Sequence, residues 1–162
     1  MSYSKDKDIV RRKLVIVGDG ACGKTSLLSV FTLGYFPKRL RPLSYTKAHI
    51  ILIGYSVDTP DSLDNVTSKW IREVQEYCPD TPVILVGMKK DLRDEAAGDT
   101  AKLSRFVNTA QADRVASEIG ARNHLECSAL TGDGVDDVFE AATRGALTVR
   151  PTETERGCCV IL

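Results

Sequence analysis

The most informative part of this sequence is a glycine-rich octapeptide, Gly18–Thr25, which reads Gly-Asp-Gly-Ala-Cys-Gly-Lys-Thr. It fits the phosphate-loop pattern G-x-x-x-x-G-K-[ST] in full. Its context also fits, because the apolar stretch Lys13–Val17 precedes it and a helical pattern, Lys24–Leu33, follows it. The motif therefore predicts a strand, a phosphate-binding loop and a helix in that order. The alternative is an ordinary glycine-rich turn between a strand and a helix.

The chemistry of phosphate binding explains the spacing of this loop. Glycines let successive backbone N–H groups turn inward around phosphate oxygens, and the helix N-terminus adds partial positive charge. Lys24 is placed to reach the β- and γ-phosphates, and the Thr25 hydroxyl to ligate Mg²⁺. Cys22 is either a reactive thiol near a helix N-terminus or simply a small loop residue, and we prefer the second. The candidate ligands here are Gly18, Asp19, Gly20, Ala21, Cys22, Gly23, Lys24, Thr25 and Ser26.

The rest of the chain alternates short apolar runs with amphipathic stretches, which predicts one α/β domain with a mostly parallel sheet and helices on both faces. The predicted strands are Lys13–Val17, His49–Val57, Val83–Val86 and His124–Cys127. The predicted helices are Lys24–Leu33, one capped by Thr59 with Pro60 in its first turn, Thr109–Ile119 with Gly120 at its C-terminal cap, and Val135–Val149 weakened by Gly145. The second helix should bury Leu63, Val66, Trp70, Val74 and Tyr77. The charged stretch Arg93–Phe106 is predicted to be a surface excursion.

Composition and charge exclude several classes of protein. The 162 residues carry a formal net charge of zero, so a general nucleic-acid binder, which needs a basic excess, is not expected. Apolar runs such as Leu14–Val17 and Ile50–Ile53 are far shorter than the roughly 20 residues that span a bilayer. The polar start is not a secretory signal, so we expect a cytosolic protein with reduced thiols at Cys22, Cys78 and Cys127.

A second polar cluster follows the third predicted strand, where Val83–Val86 runs on into Lys89, Lys90 and Asp91. The phosphate loop alone leaves kinases, ATPases and GTPases open. A carboxylate at Asp91 can accept two N–H bonds from guanine N1 and N2, a pair that adenine does not offer, and the backbone N–H of Ala129 can bond guanine O6. The alternative for the charged residues is a solvated cluster at a strand end. Next to a complete phosphate loop, guanine recognition is the better interpretation.

Several stretches together resemble the Rho GTPases of the Ras superfamily, with a fungal character, over nearly the whole chain. They are Gly18–Thr25, Leu40–Tyr45, Ile53–Leu63, Trp70–Ile71, Lys89–Arg93 and Cys127–Leu130, with Arg93–Phe106 similar to that family's extra insert. The resemblance implies a small GTPase that binds GTP and GDP, hydrolyses GTP to GDP and phosphate, and signals in cell polarity and in actin and cell-wall organisation. It implies that Lys89 lies along the guanine ring, that Asp91 reads its edge, and that Ser128, Ala129 and Leu130 complete the base site.

The sequence departs from this family in two places. Most small GTPases carry Asn or Thr at Met88, where a hydrogen bond ties the base loop to the phosphate loop, so weaker nucleotide binding is expected. After Pro37 the chain passes through Lys38 directly to Arg39–Tyr45. The effector loop (switch I), a β-hairpin and the Asp-Thr-Ala-Gly-Gln motif that the family has between these points are all missing.

This deletion predicts losses in both chemistry and structure. No catalytic residue is assigned, because the family's Gln is absent, and the Mg²⁺ site is weakened to Thr25 alone. Switching and hydrolysis are therefore expected to be impaired. The strand Lys13–Val17 should become an exposed sheet edge with unpaired backbone groups and apolar side chains. The connection Gly34–Ala48 must now lead to a strand on the opposite side from the missing hairpin, and we expect it to pass around that edge.

The C-terminal residues predict a lipid anchor. We divide the chain into a Rho-like domain, 1–149, and a hypervariable tail, 150–162. Cys159–Leu162 fits C-a-a-X, and its terminal Leu favours a geranylgeranyl group; the alternative is a merely apolar terminus. Because the tail is not polybasic and stable anchoring takes two signals, Cys158 is expected to be palmitoylated. The expected location is the cytoplasmic face of the plasma membrane or endomembranes, with a cytosolic pool.

Three functions remain in view. The first is a signalling GTPase whose partners, by resemblance, are exchange factors, activating proteins and prenyl-binding chaperones. The second is a non-hydrolysing, membrane-tethered binding module or decoy for Rho regulators, which the missing segment favours. The third, a P-loop ATPase or small-molecule kinase, is disfavoured by Asp91 and the prenylation box.

Overall fold

The computed structural model describes residues 10–31, 45 and 47–149, and its centre is a four-stranded parallel sheet. The strands are β1 (Leu14–Gly18), β2 (Ile50–Ser56), β3 (Val83–Met88) and β4 (Asn123–Cys127), in the order β1-β2-β3-β4. All seven residues of β2 are buried, as expected for a strand covered on both faces. The α/β class and the parallel sheet predicted from the sequence are confirmed.

Helices cover both faces of the sheet. They are α1 (Lys24–Phe31), α2 (Pro60–Asn65), a π-turn (Val66–Trp70), α3 (Ile71–Tyr77), α4 (Lys90–Glu95), α5 (Thr100–Leu103), α6 (Thr109–Glu118) and α7 (Val135–Leu147). The core clusters show that α1 and α7 pack on one face, whereas α2, the π-turn, α3 and α6 pack on the other. No helix in the described ranges has the length and apolar character needed to cross a membrane.

The long helical stretch after β2 differs from its prediction in two details. Thr59 stands at the N-cap position, but its side chain makes no capping bond and donates instead to the Asp58 carboxylate at 3.2 Å. Tyr77, predicted to be buried, is 46% exposed, whereas the other four predicted residues are buried. The π-turn holds one more residue than an α-turn, so it shifts the regular spacing on which the prediction relied.

Three further predictions concern the second half of the chain. Arg93–Phe106 is largely exposed as predicted, but the unpredicted α5 and the end of α4 lie within it. Gly120 has φ +68° and follows α6 as the predicted cap, with the Ala121 N–H bonded to Ala116 O at 2.9 Å. A Cβ at Gly145 would lie 2.7 Å from Ile50 Cδ1, so this glycine, expected only to weaken α7, lets the helix pack closely on β2.

In the described part of the chain β1 pairs with β2 alone, so it is an edge strand as predicted. The prediction that its apolar side chains are exposed is wrong, because Val15, Ile16 and Val17 are at most 2% exposed. Val15 and Val17 pack in the cluster that contains Tyr45, whereas Ile16 packs against α1 on the other face. α1 and Tyr45 therefore lie on opposite faces of the sheet. Residues 32–44 and 46, which make the predicted connection, lie outside the described residues.

Candidate functional site

The predicted phosphate loop connects β1 to α1, and its glycines meet steric requirements of the fold. Gly18 has φ +147°, and a Cβ there would lie 2.2 Å from the backbone oxygen of Gly54, so only glycine fits. Ala21 and Gly23 also have positive φ values, of 60° and 104°. The loop thus turns sharply twice before α1 begins at Lys24.

Lys24 folds back over this loop. Its Nζ donates to the backbone oxygens of Gly18 at 2.9 Å and Asp19 at 2.6 Å. Both acceptors are neutral carbonyls, so the ammonium group has no competing carboxylate at these bonds and can exchange them for phosphate oxygens. Thr25 and Ser26 are exposed on the first turn of α1, where N–H groups and the helix dipole favour an anion.

Cys22 in the same loop packs as an apolar residue. It is 2% exposed, and its Sγ lies 3.8 Å from the Gly54 oxygen. Burial raises the pKa of the thiol against the opposing charge of Lys24. The structure therefore supports the interpretation of Cys22 as a small loop residue over that of a reactive thiol.

A cavity of about 280 Å³ joins the phosphate loop to the segments predicted to bind the base. It lies beyond the carboxyl ends of the parallel strands, where ligands of open α/β sheets bind. Its lining residues are Ala21, Gly23, Ser26, Leu27, Met88, Lys89, Asp91, Leu92, Cys127, Ala129 and Leu130. The structure thus brings together seven of the predicted site residues.

The other seven predicted residues do not line this cavity. Gly18, Asp19, Gly20, Cys22, Lys24 and Thr25 belong to the adjoining loop and first helical turn. Ser128 directly follows β4 and is buried. The remaining four lining residues, Leu27, Met88, Leu92 and Cys127, were not predicted as ligands. These residues could have been predicted to line the site, because each is an apolar or weakly polar residue close in sequence to a predicted ligand.

Lys89 has an unusual backbone conformation at the mouth of the cavity, with φ +63° and ψ +37°. A non-glycine residue in the left-handed region is strained, and such strain concentrates at functional sites. Its Nζ forms an ion pair with Asp58 at 3.3 Å. Burial opposes ionisation of Asp58, but the hydrogen bond from Ser56 and the charge of Lys89 outweigh burial and lower the pKa of the carboxyl group. The ion pair therefore holds the Lys89 side chain.

The loop after β4 is closed by its own hydrogen bonds. Ser128 Oγ accepts from the N–H groups of Leu130 at 3.2 Å and Thr131 at 3.1 Å, and the Ser128 N–H donates to Asp133 O at 2.8 Å. This turn presents Ala129 and Leu130 to the cavity. Leu130 is 80% exposed, so an apolar side chain stands at the cavity mouth with little protein covering it.

A polar network beneath β3, which the sequence did not reveal, supports the base side of the site. Arg93, from α4, forms an ion pair with Glu126 of β4 and donates to Val107 O at 2.9 Å. Tyr55 Oη donates to Glu126 at 3.3 Å and lies 2.9 Å from His124 Nε2. Burial, with the charge of Glu126, raises the pKa of Tyr55, so its hydroxyl stays protonated. The network joins β2 and β4 to α4 and to the backbone at Val107.

These features define a class of protein. The sheet is parallel, and a glycine-rich loop joins its first strand to the first helix. A cavity at the carboxyl ends of the strands connects this loop to a lysine and an aspartate. This combination is typical of a phosphate-loop nucleotide-binding protein.

Comparison with known proteins identifies the family within this class. The model of the Ras family matches residues 13–42 and 38–148, in two pieces that meet where the sequence lacks a segment. The chain is similar to GTP-binding protein rho2 of Schizosaccharomyces pombe, with 52% identity over 193 residues that cover 94% of this chain and 96% of that protein. It is 48% identical to GTP-binding protein RHO2 of Saccharomyces cerevisiae over 188 residues, with 94% and 97% coverage. It is also 46% identical to GTP-binding protein RHO1 of Candida albicans over 191 residues, with 94% and 96% coverage.

The chain therefore belongs to the Rho-type small GTPases of the Ras superfamily, as the motifs predicted. Proteins of this family bind GTP and GDP with Mg²⁺ and hydrolyse GTP. Each of the three alignments is longer than the 162 residues of this chain, so each relative carries residues that have no counterpart here.

Proposed function

We propose that this chain is a membrane-anchored guanine-nucleotide-binding protein of the Rho type in which hydrolysis and switching are impaired. The observation that supports nucleotide binding best is the cavity itself. It places the phosphate loop, represented by Ala21 and Gly23, in one space with Lys89, Asp91 and Ala129. These residues come from distant parts of the chain and carry complementary chemistry for a phosphorylated base.

The base side of the cavity suits guanine. The Asp91 carboxylate accepts from guanine N1–H and N2–H, and the Ala129 N–H donates to O6. The stem of Lys89 and the exposed Leu130 offer apolar surface to the faces of the ring. An adenine would place acceptor N1 against the carboxylate and leave Asp91 with no N–H donor, which is the basis of discrimination.

Met88 takes over the connection between base loop and phosphate loop by packing. It is 2% exposed, and a Cβ at Gly23 would lie 3.6 Å from both its Cβ and its Sδ. The contact is apolar, in place of the family's hydrogen bond. We therefore propose nucleotide binding that is weaker than in family members with Asn at this position, as the sequence indicated.

The residues present fit a magnesium ion only in part. When bound with a nucleotide, Mg²⁺ bridges phosphate oxygens and neutralises their charge. Thr25, exposed at the start of α1, is the one protein ligand assigned to it. Among the described residues, no group of three or more His, Cys, Asp or Glu side chains is arranged to hold a metal. The ion would depend on Thr25, the nucleotide and water, which corresponds to a weakened site.

The proposed impairment follows from what GTP hydrolysis requires. A water must be oriented, and charge around the γ-phosphate must be stabilised. This chain keeps Lys24 and Thr25 but lacks the Gln, Thr and Gly of the missing segment. A protein that holds nucleotide without turning it over would act as a tethered binding module or a decoy for Rho regulators, whereas a signalling role needs the switch.

The proposed anchor rests on Cys158 and Cys159, which lie outside the described residues. Geranylgeranylation at Cys159 and palmitoylation at Cys158 would supply the two signals that stable attachment requires. The cytoplasmic face of the plasma membrane or endomembranes would then be the site of action, with a cytosolic pool held by a prenyl-binding chaperone.

The nucleotide content of purified protein tests the proposal most directly. After gentle purification in Mg²⁺ buffer, the protein should release GDP or GTP on denaturation, and stripped protein should rebind GDP in preference to ADP. Bound GTP that is retained for hours without conversion to GDP supports the impaired form. Protein that binds neither guanine nor adenine nucleotides contradicts the proposed function and leaves only a role in protein binding.

A further inference from the structure

The carboxylate of Asp19, the second residue of the phosphate loop, is held by two neutral donors from outside the loop. Asn65 Nδ2 donates to Asp19 Oδ2 at 2.7 Å, and Trp70 Nε1 donates to Asp19 Oδ1 at 2.8 Å. Each carboxylate oxygen thus has its own donor. The two donors lie in the helical stretch after β2, far from the loop in sequence.

Asn65 and Trp70 together form a clamp on the Asp19 carboxylate, and the π-turn is the part of the fold that positions them. Asn65 ends α2, and Trp70 ends the π-turn, whose wide hydrogen bond runs from the Ile71 N–H to the Val66 oxygen. Trp70 is 1% exposed, and the ammonium group of Lys69 lies 4.3 Å from its ring centroid. Packing therefore fixes the indole so that its N–H points at the loop. Single π-turns inside helices occur frequently at functional sites.

The clamp addresses an electrostatic conflict within the loop. A phosphate site needs positive charge, yet Asp19 places a carboxylate one residue after β1. Lys24 is close, because its Nζ bonds the backbone oxygen of the same Asp19 at 2.6 Å. If the carboxylate turned toward Lys24, it would form an ion pair with the group that must meet the phosphates, and it would also repel them.

We propose that Asn65 and Trp70 are positioning residues of the phosphate site, which hold the Asp19 carboxylate away from Lys24 and from bound phosphates. Lys24 then donates to the backbone oxygens of Gly18 and Asp19 and to the Cys22 thiol, which are neutral groups, and its charge remains for the nucleotide. The inference rests on the proposed nucleotide-binding function and adds residues to its site that no phosphate-loop or base motif contains.

The proposal predicts a loss that depends on phosphate. Trp70→Phe keeps an aromatic ring in the core but removes the N–H. Binding of GDP should weaken at least about tenfold, the lower end of the effect of a hydrogen bond to a charged group. Binding of guanosine, which has no phosphate, should be unchanged. Calorimetric titration of stripped protein with GDP and with guanosine measures both.

Three further variants separate positioning from folding. Asn65→Leu removes the other donor at similar volume and leaves the tryptophan in place, so it should show the same GDP-specific loss. Asp64→Asn changes the neighbouring exposed carboxylate and should bind GDP as the wild type does. Asp19→Asn in the Trp70→Phe background removes the charge that the clamp controls, and it should restore GDP binding to within about threefold, since no competing carboxylate remains.

Each outcome bears on the proposal. If Asn65→Leu and Trp70→Phe bind GDP as tightly as the wild type, the inference is wrong while the proposed function stands. The same holds if GDP and guanosine are lost together, or if Asp19→Asn rescues nothing, because the residues then act only in folding. Wild-type protein that binds no guanine nucleotide overturns the proposed function and this inference together.

Discussion

Met88 lies directly over Gly54, so closely that a Cβ at Gly54 would come within 2.5 Å of Met88 Cε. Gly54 and Gly18 are partners in the register of β2 and β1, and Met88 is the last residue of β3. The absence of side chains on β2 and β1 at this level lets the methionine reach the phosphate loop from two strands away. The base side and the phosphate side of the site therefore share one packed layer, which depends on glycines.

The first prediction compares two glycines of the phosphate loop. Gly18→Ala places a Cβ 2.2 Å from the backbone oxygen of Gly54, at a residue whose φ is +147°. The clash is with backbone, which cannot move aside as a flexible side chain can. We expect the free energy of unfolding to fall by about 3 kcal/mol, from strain and overpacking together. Gly20→Ala is the matched control, because nothing lies within 4 Å of its Cβ position. Urea unfolding of both variants measures the difference, and equal stabilities would contradict the loop geometry.

The second prediction concerns the base. Asp91→Asn should weaken GDP binding by about 1.5–3 kcal/mol, the range for a hydrogen bond to a charged group, and should leave weak ADP binding unchanged. Asp94→Asn changes an exposed carboxylate on the same helix that does not line the cavity, so it should bind as the wild type does. Competition of GDP and ADP against a fluorescent guanine nucleotide measures the preference. Equal affinity of the wild-type protein for GDP and ADP would contradict the assignment of guanine recognition.

The third prediction is that this protein binds GTP and GDP with nearly the same affinity. A ligand shifts a conformational equilibrium only by its differential affinity for the two states. Without the segment that contacts the γ-phosphate, the two affinities should agree within about tenfold, or roughly 1.4 kcal/mol. Hydrogen exchange should give the same pattern with either nucleotide. Single-turnover hydrolysis at rates usual for the family, or clear nucleotide-dependent protection, would show that a switch remains.

The fourth prediction concerns the three thiols of the described domain. Cys22, Cys78 and Cys127 are all at most 8% exposed, and burial raises the pKa of each, that of Cys127 to about 12. In a Cys158→Ser, Cys159→Ser variant, we expect no fast reaction with a thiol reagent at pH 8, because little thiolate forms. Three thiols should react after denaturation. One fast thiol in the native variant would show that a loop cysteine is accessible and activated.

The fifth prediction concerns the anchor. Cys159→Ser should move the protein from the membrane fraction to the soluble fraction of a eukaryotic cell, because prenylation is lost. Cys158→Ser should give partial, reversible attachment, since one lipid chain without a basic patch binds weakly. Cell fractionation with both variants measures this. A Cys159→Ser protein that stays fully on membranes would contradict the C-a-a-X interpretation.

Features that depend on neighbouring residues in the sequence were predicted more accurately than features that depend on tertiary packing. The strands and the loop Gly18–Thr25 were placed to within about two residues, because apolar runs and glycine spacing act over short distances. The π-turn and the exposure of Tyr77 were missed, since regular helical spacing cannot show where a turn widens. The buried state of β1 was also missed, because an edge strand with helices on both faces has open backbone but covered side chains.

The amino-acid sequence was sufficient to predict the family, the four strands and the candidate ligands, because the motifs that carry them are contiguous. The domain boundary at residue 149 and the lipid tail stay predictions. The three-dimensional arrangement was needed to show that Ala21, Lys89, Asp91 and Ala129 share one cavity, that Met88 reaches Gly23 by packing, and that Asn65 and Trp70 hold Asp19. These relationships join residues tens of positions apart, and their distances follow from sheet register and helix packing, which no local pattern encodes.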